Sequence, residues 1–236
     1  MTVLVRPATP VDVPAAADVL ADAFADYPWT RWTVDADDHG ERLRALHRLY
    51  LSAVALPFGR VDVGETPERL VSVAVWVPST AVPEDVWTRV GPAAAELAGD
   101  RATAGHEAEA TLAGHRLEEP HVALAGLGVV PSRQGRGLGA ATLAPGLARA
   151  DRDGLPVHLE TSAESNVRLY QRVGFTVTDV VDLPGGGPRT WLMRRQPRGV
   201  MTGLVIAPVL RPVARAARLR HGRGRGGQLL LRRGSR

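Results

Sequence analysis

The sequence predicts an α/β fold, and three observations predict it. Residues 126–140, Gly-Leu-Gly-Val-Val-Pro-Ser-Arg-Gln-Gly-Arg-Gly-Leu-Gly-Ala, run from an apolar, β-branched stretch through alternating glycines into a helix-like segment near Leu138. That order is strand, glycine loop, helix. Residues 157–175 alternate in the same way, with a short strand, a helical turn and then Gly174-Phe175. Upstream, strand-like and helical periodicities also alternate, in a chain of 236 residues whose 44% hydrophobic content suffices for a full core.

Each element has its own signal. Val3 to Arg6 alternates as a short strand, and Thr9-Pro10-Val11-Asp12 reads as a capping box that opens an alanine-rich helix to about Ala25. A loop carrying Tyr27, Trp29, Arg31 and Trp32 follows. Leu43, Leu46, Leu49 and Tyr50 give Asp38 to Leu56 the spacing of an amphipathic second helix. Gly59 to Val63 and Leu70 to Val77 form a strand pair around a turn with Gly64 and Pro67. Residues 83–117 are helical, with breaks expected at Gly91-Pro92 and near Gly99 to Gly105. Strands are predicted at about 122–130, 157–161, 175–183 and 189–195, with helices at 138–152 and 166–173. Pro184-Gly185-Gly186-Gly187-Pro188 forms the last turn.

Composition bounds the function. One domain over residues 1–197 is the economical reading. With no cysteine, disulfides, thiolate metal sites and an acyl-cysteine intermediate are excluded, and no metal is expected. The N-terminus lacks the pattern of a signal peptide, and no apolar run approaches the roughly 18 residues that span a bilayer, so a cytoplasmic location is expected. All 29 basic residues are arginine. Ten of them fall in residues 198–236, where no acidic residue occurs, while the preceding part holds 19 arginines against 25 acidic residues. An acidic body argues against a nucleic-acid reader and would draw a cationic amine. The Arg-rich extension is either a weak contact for anionic lipid or nucleic acid or a poorly ordered segment beyond a complete domain.

Chemistry concentrates in the glycine loop. Gly135, Gly137 and Gly139 remove side chains where a backbone must come close to a ligand, and the amides of a helix N-terminus suit a pyrophosphate. Gly135-x-Gly137-x-x-Ala140 also satisfies the dinucleotide fingerprint, with Glu160 near the place of the ribose-binding acid, which leaves an NAD-dependent dehydrogenase open. The later segment decides between them. Gln134-x-x-Gly137-x-Gly139 together with Asn166-x-x-x-Tyr170-x-x-x-Gly174-Phe175 closely resembles the GCN5-related N-acetyltransferase (GNAT) family, whose motifs run Q/R-x-x-G-x-G/A and N-x-x-x-Y-x-x-x-G-F. Within it, Ala23-Phe24-Ala25-Asp26-Tyr27-Pro28, Thr33-Val34-Asp35, Ala74-Val75-Trp76, Gly91-Pro92, Glu118-Glu119-Pro120 and Pro188-Arg189-Thr190-Trp191 resemble the puromycin N-acetyltransferases and their actinobacterial relatives, across residues 3–197.

The resemblance implies the GNAT fold: a mixed, mostly antiparallel central sheet with a splayed parallel strand pair and flanking helices. It implies direct acetyl transfer from acetyl-CoA to a primary amine of a small molecule, an aminonucleoside or other antibiotic among the acceptors. A protein N-terminal or lysine acetyltransferase and a non-catalytic acyl-CoA-binding regulator stand as alternatives, and a monomer or homodimer is expected. Leu127, Gly128 and Val129 would offer backbone groups to the pantetheine. Arg133, Gln134, Gly135, Arg136, Gly137, Leu138, Gly139 and Ala140 would hold the pyrophosphate, with Arg136 either on phosphate or in solvent.

Tyr170 is the candidate general acid, since a phenol of pKa about 10 is protonated at neutral pH; otherwise it is a core aromatic. Asn166 bonds either the cofactor or the strand end. The base is not legible: Glu160 is a positional candidate that equally suits loop amides, water is an alternative, and His121 and His47 are weaker. Tyr27, Trp29, Arg31, Trp32 and His121 are acceptor-binding candidates, though tryptophans in that loop equally serve as anchors. Puromycin-acetylating relatives carry aromatics where this chain has His121, Val122 and Ala123, which alters one wall of the pocket.

Overall fold

Val61 and Val63 on β2 (Arg60–Glu65) and Val71, Val73 and Val75 on β3 (Leu70–Pro78) alternate onto one face of an antiparallel pair, because successive side chains of a strand point to opposite faces. The computed structural model, which describes residues 3–199, builds a seven-stranded sheet outward from this pair. The other strands are β1 (Leu4–Pro7), β4 (Val122–Val129), β5 (Val157–Thr161), β6 (Thr176–Asp182) and β7 (Arg189–Arg195). Their order is β1-β2-β3-β4-β5-β7-β6, and every neighbouring pair is antiparallel except β4 and β5. This is the α/β GNAT fold that the resemblance implied.

The valine face is covered by Ala16, Ala17 and Leu20 of α1 (Val13–Phe24) and by Leu51. The opposite face, with Ala74 and Trp76 of β3, Leu159 of β5 and Met193 of β7, meets Leu143, Leu147 and Ala150 of α7 (Leu138–Asp153). Arg195, 3% exposed, closes this layer by gripping Asp151 at the end of α7 with both guanidinium arms, at 2.7 and 2.8 Å. Removing one partner of such a buried pair leaves an uncompensated charge and typically costs 3–5 kcal/mol.

Two expected features differ in the structure. Residues 28–33 form a short helix, α2 (Pro28–Thr33), rather than a loop; proline occupies its first position, where a missing N–H costs nothing. Trp29 and Trp32 pin it to a cluster of Ala108, Leu112, Val181, Leu183 and Leu192. The second difference is at Gly91-Pro92, which does not break α5 (Glu84–Ala98). Thr88, Gly91 and Pro92 are all exposed, so water reaches the carbonyl that the proline leaves without its helical donor. The break comes only at Gly99 (φ +66°), before α6 (Ala102–Ala113).

The amphipathic segment begins as α3 (His39–Tyr50), loosens into a π-helical stretch over Leu51–Ala55 and ends as α4 (Leu56–Phe58). The last helix is α8 (Glu164–Arg172). Of the Arg-rich extension, only Arg198 and Gly199 fall among the described residues, where Arg198 N–H donates to Asp151 at 2.7 Å; the rest lies outside them.

Candidate active site

β4 and β5 part company early. They pair only at Val122 with Val157 and Ala123 with His158, whereas β4 stays registered with β3 to Val129 and β5 with β7 to Thr161. A bulge lies just past the last shared pair: Trp76 faces Leu124 and Val75 faces Gly126, so Ala125 is the extra residue. Bulges bend and twist the strand that carries them. From there to Val129 the β4 backbone facing β5, that of Leu127 and Val129, has no strand partner among the described residues, whereas Gly128, expected to offer its backbone to the ligand, alternates with them and turns its backbone toward Val73 of β3. Gly128 is small for a different reason, because a Cβ there would lie 3.0 Å from Leu20 Cδ2 and 3.2 Å from Ala23 Cβ of α1.

The open edge leads into the glycine loop. Pro131–Arg133 make a 3₁₀ turn, and Gln134 bends its side-chain amide back onto the Val129 carbonyl at 3.0 Å. Gly135 (φ +73°) and Gly137 (φ +77°) then take left-handed conformations that side chains resist. Gly137 is the N-cap of α7, and its carbonyl receives the first bond of the helix, from Ala141 N–H at 3.1 Å. The preceding amides, Gly135 through Ala140, find no backbone acceptor among the described residues and converge at the positive end of the helix. A Cβ on Gly135 or Gly137 would meet nothing within 4 Å, so a ligand has room against this backbone. Arg136 is exposed beside it.

At the end of β5, α8 presents Asn166 and, one turn on, Tyr170. Tyr170 is 7% exposed and packs edge-on against Phe175, with ring centroids 5.7 Å apart. Its hydroxyl has no hydrogen-bond partner among the described residues. Burial, then the neighbouring Tyr27, hold its phenol above the ordinary value of 10.0. Asn166 Nδ2 donates to Thr161 Oγ1 at the strand end, at 3.3 Å. Tyr27 reaches the same hydroxyl, Oη to Oγ1 at 3.1 Å, and accepts the Ser162 N–H at 2.5 Å.

His158 and Glu160 point to the other face of β5, since Val157 and Leu159 belong to the α7 cluster. Arg116 clasps Glu160, Nε to Oε1 at 2.6 Å and Nη2 to Oε2 at 3.1 Å, and also reaches Glu109 at 2.8 Å. His158 Nε2 is 3.3 Å from Glu160 Oε1. Burial pushes the Glu160 carboxyl up, but the bonds from His158 and Arg116 and the charge of Arg116 outweigh it and hold the pKa at about 2. His121 stacks edge-on over His158, centroids 5.6 Å apart, with Nδ1 2.8 Å from the Glu119 carbonyl. Only an N–H can pair with a carbonyl, so Nδ1 carries the proton and Nε2 keeps its lone pair. Burial, more than any other influence, lowers the His121 pKa.

The structure therefore places Tyr27, Asn166 and Tyr170 around the end of β5 and Glu160 and His121 on the face of that strand turned away from α7, and separates three other candidates from both groups. Trp29 and Trp32 are half-buried anchors of α2, and Arg31 lies on the surface, 3.1 Å from Asp26. Three further participants, Arg116, Thr161 and Ser162, carry no local signal. Only the polar run Glu160-Thr161-Ser162 at the end of a strand hints at the last two.

The Acetyltransferase (GNAT) family matches residues 98–175, from the end of α5 to Phe175. Among solved structures, a Corynebacterium glutamicum protein described as histone acetyltransferase HPA2 and related acetyltransferase is similar at 28% identity and a TM-score of 0.63, over 84% of this chain and 98% of that one. The polyamine N-acetyltransferase of Drosophila melanogaster shares the fold at 19% identity and a TM-score of 0.58, over 83% of this chain and 100% of its own. So does the ribosomal-protein-S18-alanine N-acetyltransferase of Escherichia coli, at 15% identity and a TM-score of 0.51, over 87% and 99%.

Proposed function

We propose that the chain, whose residues 98–175 match the Acetyltransferase (GNAT) family and whose fold is similar to that of a solved acetyltransferase, acetylates the primary amine of a small molecule by direct transfer from acetyl-CoA. The observation that carries this reading is the open β4 edge running into an amide-lined turn, with the Tyr170 phenol beside the end of β5. Acetyl-CoA, when bound, supplies the acetyl thioester.

The residues fit that cosubstrate. The backbone of Leu127 and Val129 offers hydrogen bonds along an extended chain, the amides of Gly135 to Ala140 receive a pyrophosphate, and Arg136 adds charge. Tyr170 holds a proton at Oη across the neutral range, and its hydroxyl is not spent on another group among the described residues. It is therefore the donor for a departing thiolate. Glu160, held at about 2 and bound through both oxygens by Arg116, is too weak a base for an ammonium. His121, neutral with Nε2 unshared, is the better proton acceptor of the two. With no cysteine in the chain, no acyl-thiol intermediate intervenes.

The finer identity of the acceptor rests on the subfamily resemblance, which favours an aminonucleoside or another antibiotic over a protein. The test is a thermal shift with acetyl-CoA against NAD, followed by thiol release over a panel of small amines, aminonucleosides and peptides. We expect stabilisation by acetyl-CoA alone and turnover on a small amine. Turnover on peptides alone, or tight acetyl-CoA binding without turnover on any amine, would overturn the proposal.

A further inference from the structure

Tyr27 entered as a candidate for acceptor recognition, yet its hydroxyl is engaged within the protein. An amide only donates, so the Ser162 N–H at 2.5 Å occupies an oxygen lone pair of the phenol, while between Tyr27 Oη and Thr161 Oγ1, 3.1 Å apart, either hydroxyl can donate. Thr161 Oγ1 accepts from Asn166 Nδ2 at 3.3 Å. Three elements far apart in sequence thus meet at one hydroxyl: the corner between α1 and α2, the end of β5, and the first turn of α8. Asn166 and Tyr170 are four residues apart on α8 and so share a face of it.

The corner bearing Tyr27 is itself braced. Its ring packs edge-on against Phe24 with centroids 5.2 Å apart, the Thr30 hydroxyl donates to the Phe24 and Tyr27 carbonyls, and the tryptophans of α2 are anchored on the far side. Just past β5, Ser162 Oγ lies 2.7 Å from Thr190 Oγ1 of β7. The bridge is therefore fixed at both ends. The helix it steadies holds Tyr170, whose hydroxyl has no hydrogen-bond partner of its own among the described residues.

We infer that Tyr27 is a positioning residue for Tyr170, acting through Thr161 and Asn166 to set where the phenolic proton of α8 is presented. The inference rests on the reading of Tyr170 as the general acid. Displacing a proton donor by a fraction of an ångström costs rate rather than cosubstrate affinity.

A double-mutant cycle on the full chain tests both readings. Tyr27→Phe keeps the ring and deletes the bridging hydroxyl; it is expected to lower kcat about tenfold with KM for acetyl-CoA within about twofold. In a Tyr170→Phe background the same change is expected to cost less than about twofold, because there is no proton left to misplace. Thr161→Val should reproduce the loss and Thr161→Ser should restore it, and this pair carries the test if Tyr27→Phe folds poorly. An equal fold-loss in both backgrounds, or a rise in KM for the amine with kcat unchanged, overturns the positioning role alone. Wild-type turnover by Tyr170→Phe overturns the acid assignment and this inference with it.

Discussion

Arg116 holds both carboxylate oxygens of Glu160, at 2.6 and 3.1 Å, so the residue best placed by sequence to act as a base is locked as an anion. Its folded pKa of about 2 lies below the ordinary value of 4.5. The stabilisation from this pair is therefore complete above about pH 4.5 and is lost as pH falls through 2. With the side chain only 20% exposed, it is worth on the order of 3 kcal/mol. Denaturant melts between pH 6 and pH 2 should show a shallower loss of stability in Glu160→Gln than in the wild type. Between pH 5 and 9 the kcat/KM profiles of the two should have the same shape. A pH limb that vanishes with Glu160→Gln would restore Glu160 as the base.

A second titration belongs to His47. Its Nε2 is buried without a hydrogen-bond partner among the described residues, and its ring packs on Phe24, centroids 5.7 Å apart. Burial lowers its pKa from 6.5 to about 4. Between those values the unfolded chain takes up a proton that the folded one refuses, so stability rises with pH across the window and is lost as pH falls from 6.5 to 4. Because the ring as a whole is half-buried, the change should be nearer about 2 than 3 kcal/mol. His47→Leu should flatten the stability curve between pH 4 and 6.5 while leaving acetyl-CoA affinity unchanged. An unaltered slope would show that the ring is charged in the fold.

At Gly137 the backbone is left-handed and the space beside it is open. Valine there adds strain and fills the volume assigned to phosphate. We expect the Kd for acetyl-CoA to rise at least about tenfold, or about 1.4 kcal/mol, with only a modest fall in Tm. Calorimetric binding at wild-type strength would remove the loop from the site.

Tyr170→Phe retains the packing against Phe175 and deletes the proton donor. A fall in kcat of about 100-fold with acetyl-CoA binding nearly intact is expected. The loss should shrink with an acyl donor whose thiol is more acidic, because such a leaving group needs less help. Equal losses on both donors would mean that the phenol acts otherwise.

How much of this was legible in the sequence follows from how local each feature is. The valine alternation that makes β2 and β3, the glycines that shape the loop and the Asn166-to-Phe175 run all lie within one or two elements. The glycine loop is legible because its shape is set by backbone conformation at consecutive residues. The rest is assembled from afar: Arg116 finds Glu160 across 44 positions, and Tyr27 finds Thr161 across 134. No spacing along the chain announces such pairs. The short helix α2 was missed for the same reason, since tryptophan contacts with α6 and the β6–β7 end stabilise six residues that would not hold a helix alone. At Gly91-Pro92 the local rule was overridden by exposure.

Gly146 looks replaceable in the sequence, as alanine in mid-helix ordinarily gains about 1 kcal/mol over glycine. In the fold its Cα faces the indole of Trp76, and a Cβ would lie 2.1 Å from Cε2 and 2.3 Å from Cζ2. Trp76 is 3% exposed and flat, so the ring cannot bend aside and α7 must lift from the sheet. Overpacking of this kind costs up to about 3 kcal/mol, which outweighs the helix gain and leaves Gly146→Ala about 2 kcal/mol less stable. That is a drop in Tm of roughly 4–8 °C for a chain of this size. The glycine loop is continuous with the N-terminus of α7, so acetyl-CoA affinity should weaken together with Tm. Adding Trp76→Phe, which shortens the ring at the point of contact, should recover part of both. A Gly146→Ala protein that melts higher than the wild type would show that α7 and β3 have slack the packing does not reveal.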